Sequence, residues 1–510
     1  MLNKFTKRVG SFTIGTLISR ILGLVRESVF AYLFGAGFAT DAFQVAFRIP
    51  NLLRDLFAES ALSAAFVPTF VDNLANKDRK QVWQFACNVF NTLVIIVGLI
   101  VALGIVFSPA IVKALAYGFR EVSGKQELTT TLTRIMLPFL LFIALASWAM
   151  GILNAFKEFF LPAFAPALFN LGSVLVAVLS YRYFVAHNLE PILGMAYGVT
   201  IGAALQFLVQ VPRLFHKKFR YSFYINFKDP ELRRVLVLWI PTVLGLASYQ
   251  INFAVNTFLV TFLEERSISY LNYAYRIMHL PAGLFGVAIG SVAIAEFSSK
   301  VAQKTTEGLK EELRHALKLV ALLTLPISAL FLALAVPITR IIYERGRFTP
   351  LDTMYTAQAL MLYAPGIFAS AGVRSIAACF YSLKDTKTPA LVGLSTVVVN
   401  FAINRSLMGL IGFRTFPLAT SFCAFFNFGL LSYLLRKKIG SWCTSQLNKI
   451  VFFSFCFSII SAIMSYGVFS VLTQKILSTS FISQLIILGI SGTFGLGAFF
   501  GLAKISKINI

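Results

Sequence analysis

Long apolar stretches separated by short polar segments run through the chain from end to end. A helix rises about 1.5 Å per residue and the hydrocarbon core of a bilayer is about 30 Å thick, so about 20 mostly apolar residues suffice to cross it. Such windows fall near 9–34, 41–70, 82–107, 128–156, 160–184, 191–212, 235–262, 267–298, 315–339, 352–382, 388–408, 415–435, 449–472 and 481–503. The strict alternation that marks a barrel strand is absent. The pattern predicts an all-α integral membrane protein with about fourteen transmembrane helices.

Composition agrees with this reading. The 510 residues are 57% hydrophobic and 13% charged, where soluble domains carry about 25% charged residues. The 52 phenylalanines suit a lipid-facing exterior and equally suit aromatic packing between helices. A formal charge of +24 invites a nucleic-acid reading, but the basic residues lie mainly in short loops between the predicted spans. Lys77, Arg79 and Lys80, the run from Arg213 to Arg234, Lys300 to Arg314, Lys384 and Lys387, and Arg436 to Lys438 all fall on the side of the N-terminus. That asymmetry is the positive-inside pattern, helped by anionic lipid. It predicts both termini in the cytoplasm, membrane lipids as neighbours and no nucleic-acid partner. Lys4, Lys7 and Arg8 before an apolar run resemble a signal peptide, but Arg20 interrupts that run, and the segment reads as a retained first span. The five cysteines form no CxxC pair, so neither a disulfide framework nor a zinc site is expected.

The chain also repeats itself weakly. AFRIP around Arg48 is echoed by AYRI around Arg276, 228 residues later. Lys157, before Pro162-Ala163, is echoed by Lys384, before Pro389-Ala390, 227 residues later. Two near-equal offsets argue for a duplicated six-helix unit whose copies share one orientation. The expected organisation is an N-lobe over 1–225, a C-lobe over 226–440 and two additional helices over 441–510.

Charges inside these apolar windows are the candidate chemistry. Arg20 and Arg26 interrupt the first span, Arg48 and Arg54 the second, and Arg276 a third far along the chain. A guanidinium at membrane depth costs at least about 2.5 kcal/mol, so such residues usually line a wet cavity and bind something. The planar fork of arginine grips phosphate with two parallel hydrogen bonds. Asp41, Arg48, Asp55 and Glu59 recur at spacings of seven, seven and four, one helical face unless Pro50 turns the later members away. Glu27 stands seven residues after Arg20. These acids would hold the arginines while leaving donors for cargo; mutual neutralisation between packed helices explains any single pair as well. The surplus lies on the positive side and points to an anionic, phosphate-bearing cargo. His279, one turn after Arg276, is a candidate gating or proton switch. Gly124-Lys125 is not a phosphate loop, since Phe119 stands where its glycine is required, and no HExxH or acid-rich diphosphate motif occurs. The chain reads as a transporter without cofactor or catalytic metal, drawing on membrane potential or an ion gradient.

The strings SRILGLVRE (19–27) and FGAGFATDAFQVAFRIPNLLRDLFAESALSAAFVP (34–68) resemble the N-terminal signature of the MurJ/MviN lipid II flippases. YAYRIMHLP (273–281), YERGRFT (343–349) and YSLKDTKTP (381–389) fall where that family has similar motifs. The resemblance implies the multidrug/oligosaccharidyl-lipid/polysaccharide exporter fold, with two six-helix lobes around a cationic cavity and two last helices forming a groove for a polyprenyl tail. It implies a monomer of the bacterial cytoplasmic membrane. The implied cargo is lipid II, an undecaprenyl-diphosphate-linked disaccharide peptide, moved from inner to outer leaflet by alternating access for peptidoglycan synthesis. By motif position, the family's cavity arginines fall on Arg20, Arg26, Arg54 and Arg276, while Asp41, Arg48 and Glu59 match further motif positions. Glu27 stands where aspartate is usual, Ser60 replaces a customary glycine, and Tyr275 and His279 stand where many members have acids. Asn252, Asn256, Asn400 and Asn404 occupy the region where some members resemble sodium-coupled transporters, without a carboxylate. The competing readings are an exporter of another lipid-linked glycan or amphipathic anion, and a membrane scaffold or polyprenyl-processing enzyme.

Overall fold

A computed structural model describes residues 2–54, 60–476 and 480–506, and among these every regular element is helical. Two compact units divide the chain, the first ending at Arg266 and the second beginning at Ser267. The first holds α1 (Leu2–Phe34), α2 (Phe38–Arg54), α3 (Ser60–Asn76), α4 (Arg79–Leu115), α5 (Lys125–Met136), α6 (Phe139–Ala155), α7 (Phe160–Ala186), α8 (Ile192–Leu208), α9 (Val211–His216) and α10 (Pro230–Val260). The second holds α11 (Ser267–Ala302), α12 (Thr306–Tyr343), α13 (Pro350–Tyr363), α14 (Gly366–Ser382), α15 (Lys387–Ile411), α16 (Thr415–Ile439), α17 (Ser445–Lys475) and α18 (Phe481–Ile505). Among the described residues nine helical stretches are long and apolar enough to cross a membrane. One of them, Lys387–Ile439, runs to 53 residues and turns at Gly412 (φ 60), which gives it more than twice the length that one crossing takes.

Proline marks where two expected spans change hydrogen bonding while each remains one stretch long enough to cross, Lys125–Ala155 and Pro350–Ser382. The window 128–156 is α5 and α6, interrupted at Leu137 and Pro138; the window 352–382 is α13 and α14, interrupted at Ala364 and Pro365. A proline ring removes one intrahelical donor and crowds the preceding turn. Long α12 kinks in the same way at Leu334 (φ −112, ψ 19), three residues before Pro337.

A left-handed turn ends α7, α9 and α11 at Asn188, Lys218 and Lys304, and two further copies of it carry an acid. After α6, Lys157 takes a left-handed conformation (φ 63), and the Glu158 amide donates back to the Leu153 carbonyl at 3.0 Å. After α14, Lys384 does the same (φ 60), and the Asp385 amide donates to Phe380 at 2.9 Å. This is a helix-ending motif that normally recruits glycine. In both turns the acid after the lysine is clamped by bases from later in its unit. Glu158 accepts from Arg213 and pairs with Lys217, and Asp385 accepts from Lys438 at 2.6 Å. The positions singled out by the 227-residue offset therefore build the same turn twice.

Aromatic side chains fill much of the first unit. Trp148 is fully buried, donates from its indole N–H to Ala86 O at 3.1 Å, and meets Phe90 and Phe219 edge-on at 5.0 and 5.6 Å. Phe66 packs on Phe70 and Phe85. These phenylalanines hold helices together rather than face lipid. The second unit is built on Phe297, Leu313, Leu317, Phe380, Leu431 and Leu435. There α17 and α18 meet through small residues, with Ser461 Oγ donating to Gly495 O and Ser465 Oγ to Ser491 O, both at 2.6 Å. Close approach of small residues is how helices associate where no hydrophobic drive distinguishes lipid from leucine.

Lys438 and the Thr388 amide hold the Asp385 carboxyl down to about 2, from an ordinary 3.8. A depressed folded value means that the stabilisation is present above 3.8 and disappears as the pH falls toward about 2. Asp385→Asn should lower the unfolding temperature in detergent at neutral pH, by the equivalent of at most about 1 kcal/mol because water screens the pair. The gap to the parent should close between pH 3.8 and about 2; a gap constant over that range would show that the charge contributes nothing.

Candidate substrate-binding charges

Helix α1 approaches α7 closely because glycines face it. A Cβ on Gly15 would lie 3.0 Å from Phe160 O, and Asn170 of α7 donates to Ser19 O at 3.1 Å. This packing places the Phe169 ring 5.3 Å from the Arg26 guanidinium. Arg26 is 8% exposed and Glu27 7%, and their side chains meet at 2.6 Å. A buried charge persists only when paired and hydrogen-bonded, so the carboxylate makes the guanidinium tolerable at this depth. Arg20, on the same helix, is exposed on its unit.

On α2, Arg48 donates to Thr257 Oγ1 at 2.8 Å and lies 4.7 Å over the Phe253 ring, both on α10. Arg54 ends α2 and is half-buried. Asp55 and Glu59 lie outside the described residues. Arg276 and His279 belong to α11 in the second unit and are exposed there, the histidine stacked on Tyr275 with centroids 5.2 Å apart. Asn256 donates to Asn252 at 3.5 Å within α10, and Asn404 to Asn400 at 2.9 Å within α15. No cluster of three or more His, Cys, Asp or Glu suited to a metal occurs among the described residues.

Asp41 sits in a second charged centre. It is 1% exposed and its Oδ2 lies 3.1 Å from Nζ of Lys125, itself 2% exposed. The Arg266 backbone N–H donates to the same oxygen at 2.8 Å. The ammonium stands 4.6 Å from the Phe119 ring and 5.7 Å from Phe38. Nearby, the Phe38 amide donates to Glu265 Oε1 at 2.9 Å, which places a carboxylate at the positive end of the α2 dipole. Gly118 lies so close to the chain that a Cβ would fall 2.3 Å from Thr261 O. Three segments far apart in sequence are thus tied at one end of the first unit: the start of α2, residues 117–125, and residues 261–266. Lys125 is the residue that sequence reasoning missed. It featured only as the lysine of a failed phosphate loop, and a partner 84 residues away leaves no periodic signal.

Lys125→Met removes an ammonium from the buried Asp41 carboxylate and should lower stability by about 3–5 kcal/mol. Adding Asp41→Asn removes that charge and keeps an acceptor for Arg266, so the double variant should be more stable than the single one in denaturant unfolding. A double variant no better than Lys125→Met would show that the pair is not held by charge.

A family profile described as "Lipid II flippase MurJ" matches residues 30–489. A "Probable lipid II flippase MurJ" of Vibrio cholerae is 34% identical over 82% of this chain and 80% of its own length. A "Lipid II flippase MurJ" of Burkholderia cenocepacia is 33% identical over 83% and 82%. Among solved structures, a "Lipid II flippase MurJ, inward closed conformation" superposes with a TM-score of 0.79 at 27% identity, covering 97% of this chain and 98% of that one. An inward-facing multidrug transporter of the MATE family reaches a TM-score of 0.67 at 15% identity, a likeness of fold alone.

Proposed function

The chain belongs to the lipid II flippase MurJ family, and from that premise we propose that it carries lipid II from the inner to the outer leaflet by alternating access. It is a multi-pass protein of the bacterial inner membrane and a transporter, and its action supplies peptidoglycan synthesis. The observation that carries the reading is the family match over residues 30–489. Relatives named for lipid II disfavour another lipid-linked glycan as cargo.

The residue roles follow from charge. In this reading Arg26, Arg54 and Arg276, with Arg20 and Arg48, present guanidinium groups to the diphosphate that joins sugar to lipid. Two parallel N–H···O bonds per guanidinium suit that group. Glu27 keeps Arg26 charged and oriented at depth, and Asp55 and Glu59 balance the remaining cations, whereas Asp41 is held by Lys125. His279, beside Arg276, is the group placed to couple protonation to gating. The protein works as a monomer with both termini in the cytoplasm. The moving lobes are taken as the two halves of the repeat, 1–225 and 226–440, with α10 of the second half packed on α3 and α4 in the first compact unit, which ends at Arg266, and 441–510 add the last two helices.

The test uses cells depleted of the native copy and complemented with Arg26→Ala, Arg54→Ala or Arg276→Ala. A charged hydrogen bond contributes about 1.5–3 kcal/mol, so each change should cut precursor export by about ten- to a hundredfold while the folded protein remains in the membrane. Lipid II should accumulate on the inner leaflet. Full export by all three variants would overturn the assignment of these arginines.

A further inference from the structure

The connection between α9 and α10 is an extended strap laid across α4. Its backbone is held by α4 side chains rather than by a strand: Asn91 donates to Tyr224 O at 3.1 Å, Asn88 to Asn226 O at 3.0 Å, and the Asn226 amide donates back to Asn88 Oδ1 at 2.9 Å. The Ser222 amide donates to Cys87 Sγ, and Tyr221 Oη to Asn91 Oδ1 at 2.9 Å. Phe219 turns inward and is buried against Trp83 and Trp148. The outward positions differ. Phe223 is 79% exposed and Phe227 56%, interleaved with exposed Lys218, Arg220 and Lys228.

The level of this strap is fixed by α4. Cys87, Asn88 and Asn91 immediately precede the uninterrupted apolar run 93–107 of that helix, so the strap lies where polar surroundings give way to hydrocarbon. The element before the strap, Ile192–His216, is a stretch long and apolar enough to cross, and the strap leads into the 31-residue helix α10. Phenylalanines beside basic residues bury their rings at the boundary between headgroups and acyl chains, and lysine and arginine there attract anionic lipid. Hydrogen bonds to α4 lessen the usual objection to irregular backbone at this depth, because the Ser222 and Asn226 amides and the Arg220, Tyr224 and Asn226 carbonyls are already met.

We propose that residues 217–229 form an interfacial anchor. Phe223 and Phe227 insert at the acyl–headgroup boundary, and Arg220 and Lys228 bind anionic phospholipid headgroups of the bilayer that the chain itself spans. The proposal does not depend on the transported cargo.

The experiment uses the full chain with Cys443→Ser and Cys456→Ser, the two cysteines that are not buried, and a fluorophore on Phe223→Cys. In vesicles containing phosphatidylglycerol, lipid brominated near the headgroup should quench the label strongly and aqueous iodide weakly. Adding Arg220→Gln and Lys228→Gln should weaken anchoring in those vesicles by about fivefold per cation, whereas in vesicles of phosphatidylcholine alone they should change little. A label open to iodide and untouched by brominated lipid would overturn the anchor; that is also the result expected if the strap were instead a docking site for a protein partner. Quenching that ignores both the cation changes and the lipid charge would overturn the anionic-lipid assignment.

Discussion

Charge at low dielectric is the constraint on which the rest of the structure depends. An isolated guanidinium or ammonium in a packed helical unit would be prohibitively costly, and the unit meets that cost in two ways. Arg26 is neutralised by the next residue along the same helix, a local solution that leaves α1 free to keep its contact with α7. Lys125 is neutralised by Asp41 from another helix, a non-local solution that ties three segments together. The first pair is confined to α1. The second suits a group whose role is to fix architecture, because removing the lysine takes a counter-ion from a buried carboxylate.

The same constraint separates the loops from the helices. Irregular backbone between helices is held where side chains satisfy it, as Asn88 and Asn91 do for the strap. Positive charge collects in the connections, where Glu158 and Asp385 clamp bases against the ends of helices. Burial alone would raise the Glu158 carboxyl, yet Arg213 and Lys217 outweigh it and hold it below its ordinary range. Recurrence of this clamp in each unit gives the weak sequence repeat a physical content: a left-handed lysine followed by an acid is a turn that both copies use.

Much of this was legible in the sequence because hydropathy reports burial in lipid directly. The windows 160–184 and 481–503 fall within a few residues of α7 (Phe160–Ala186) and α18 (Phe481–Ile505). Hydropathy could not see that 128–156 and 352–382 each contain a break, since an apolar proline scores as membrane-compatible while it interrupts the helix. Pro138 and Pro365 both lie inside apolar windows, and only their positions in the structure show what they do to the helix. Among the charges, Arg26 and Glu27 stood out because they interrupt an apolar run. Lys125 did not, because it stands at a helix start where a lysine looks solvated, and only tertiary packing reveals that it is buried. The strap was read as a basic loop; its order comes from asparagines on α4, which composition does not flag.

The central claim is that guanidinium groups recognise the diphosphate linkage of the cargo, and equilibrium binding tests it most directly. Purified protein would be titrated with lipid II and with an analogue that keeps the polyprenyl chain and disaccharide peptide but carries an uncharged linkage. Two charge-assisted contacts imply binding of the natural lipid tighter by on the order of a hundredfold or more, with the difference shrinking as salt rises. Equal affinities for the two lipids at low salt would contradict the account.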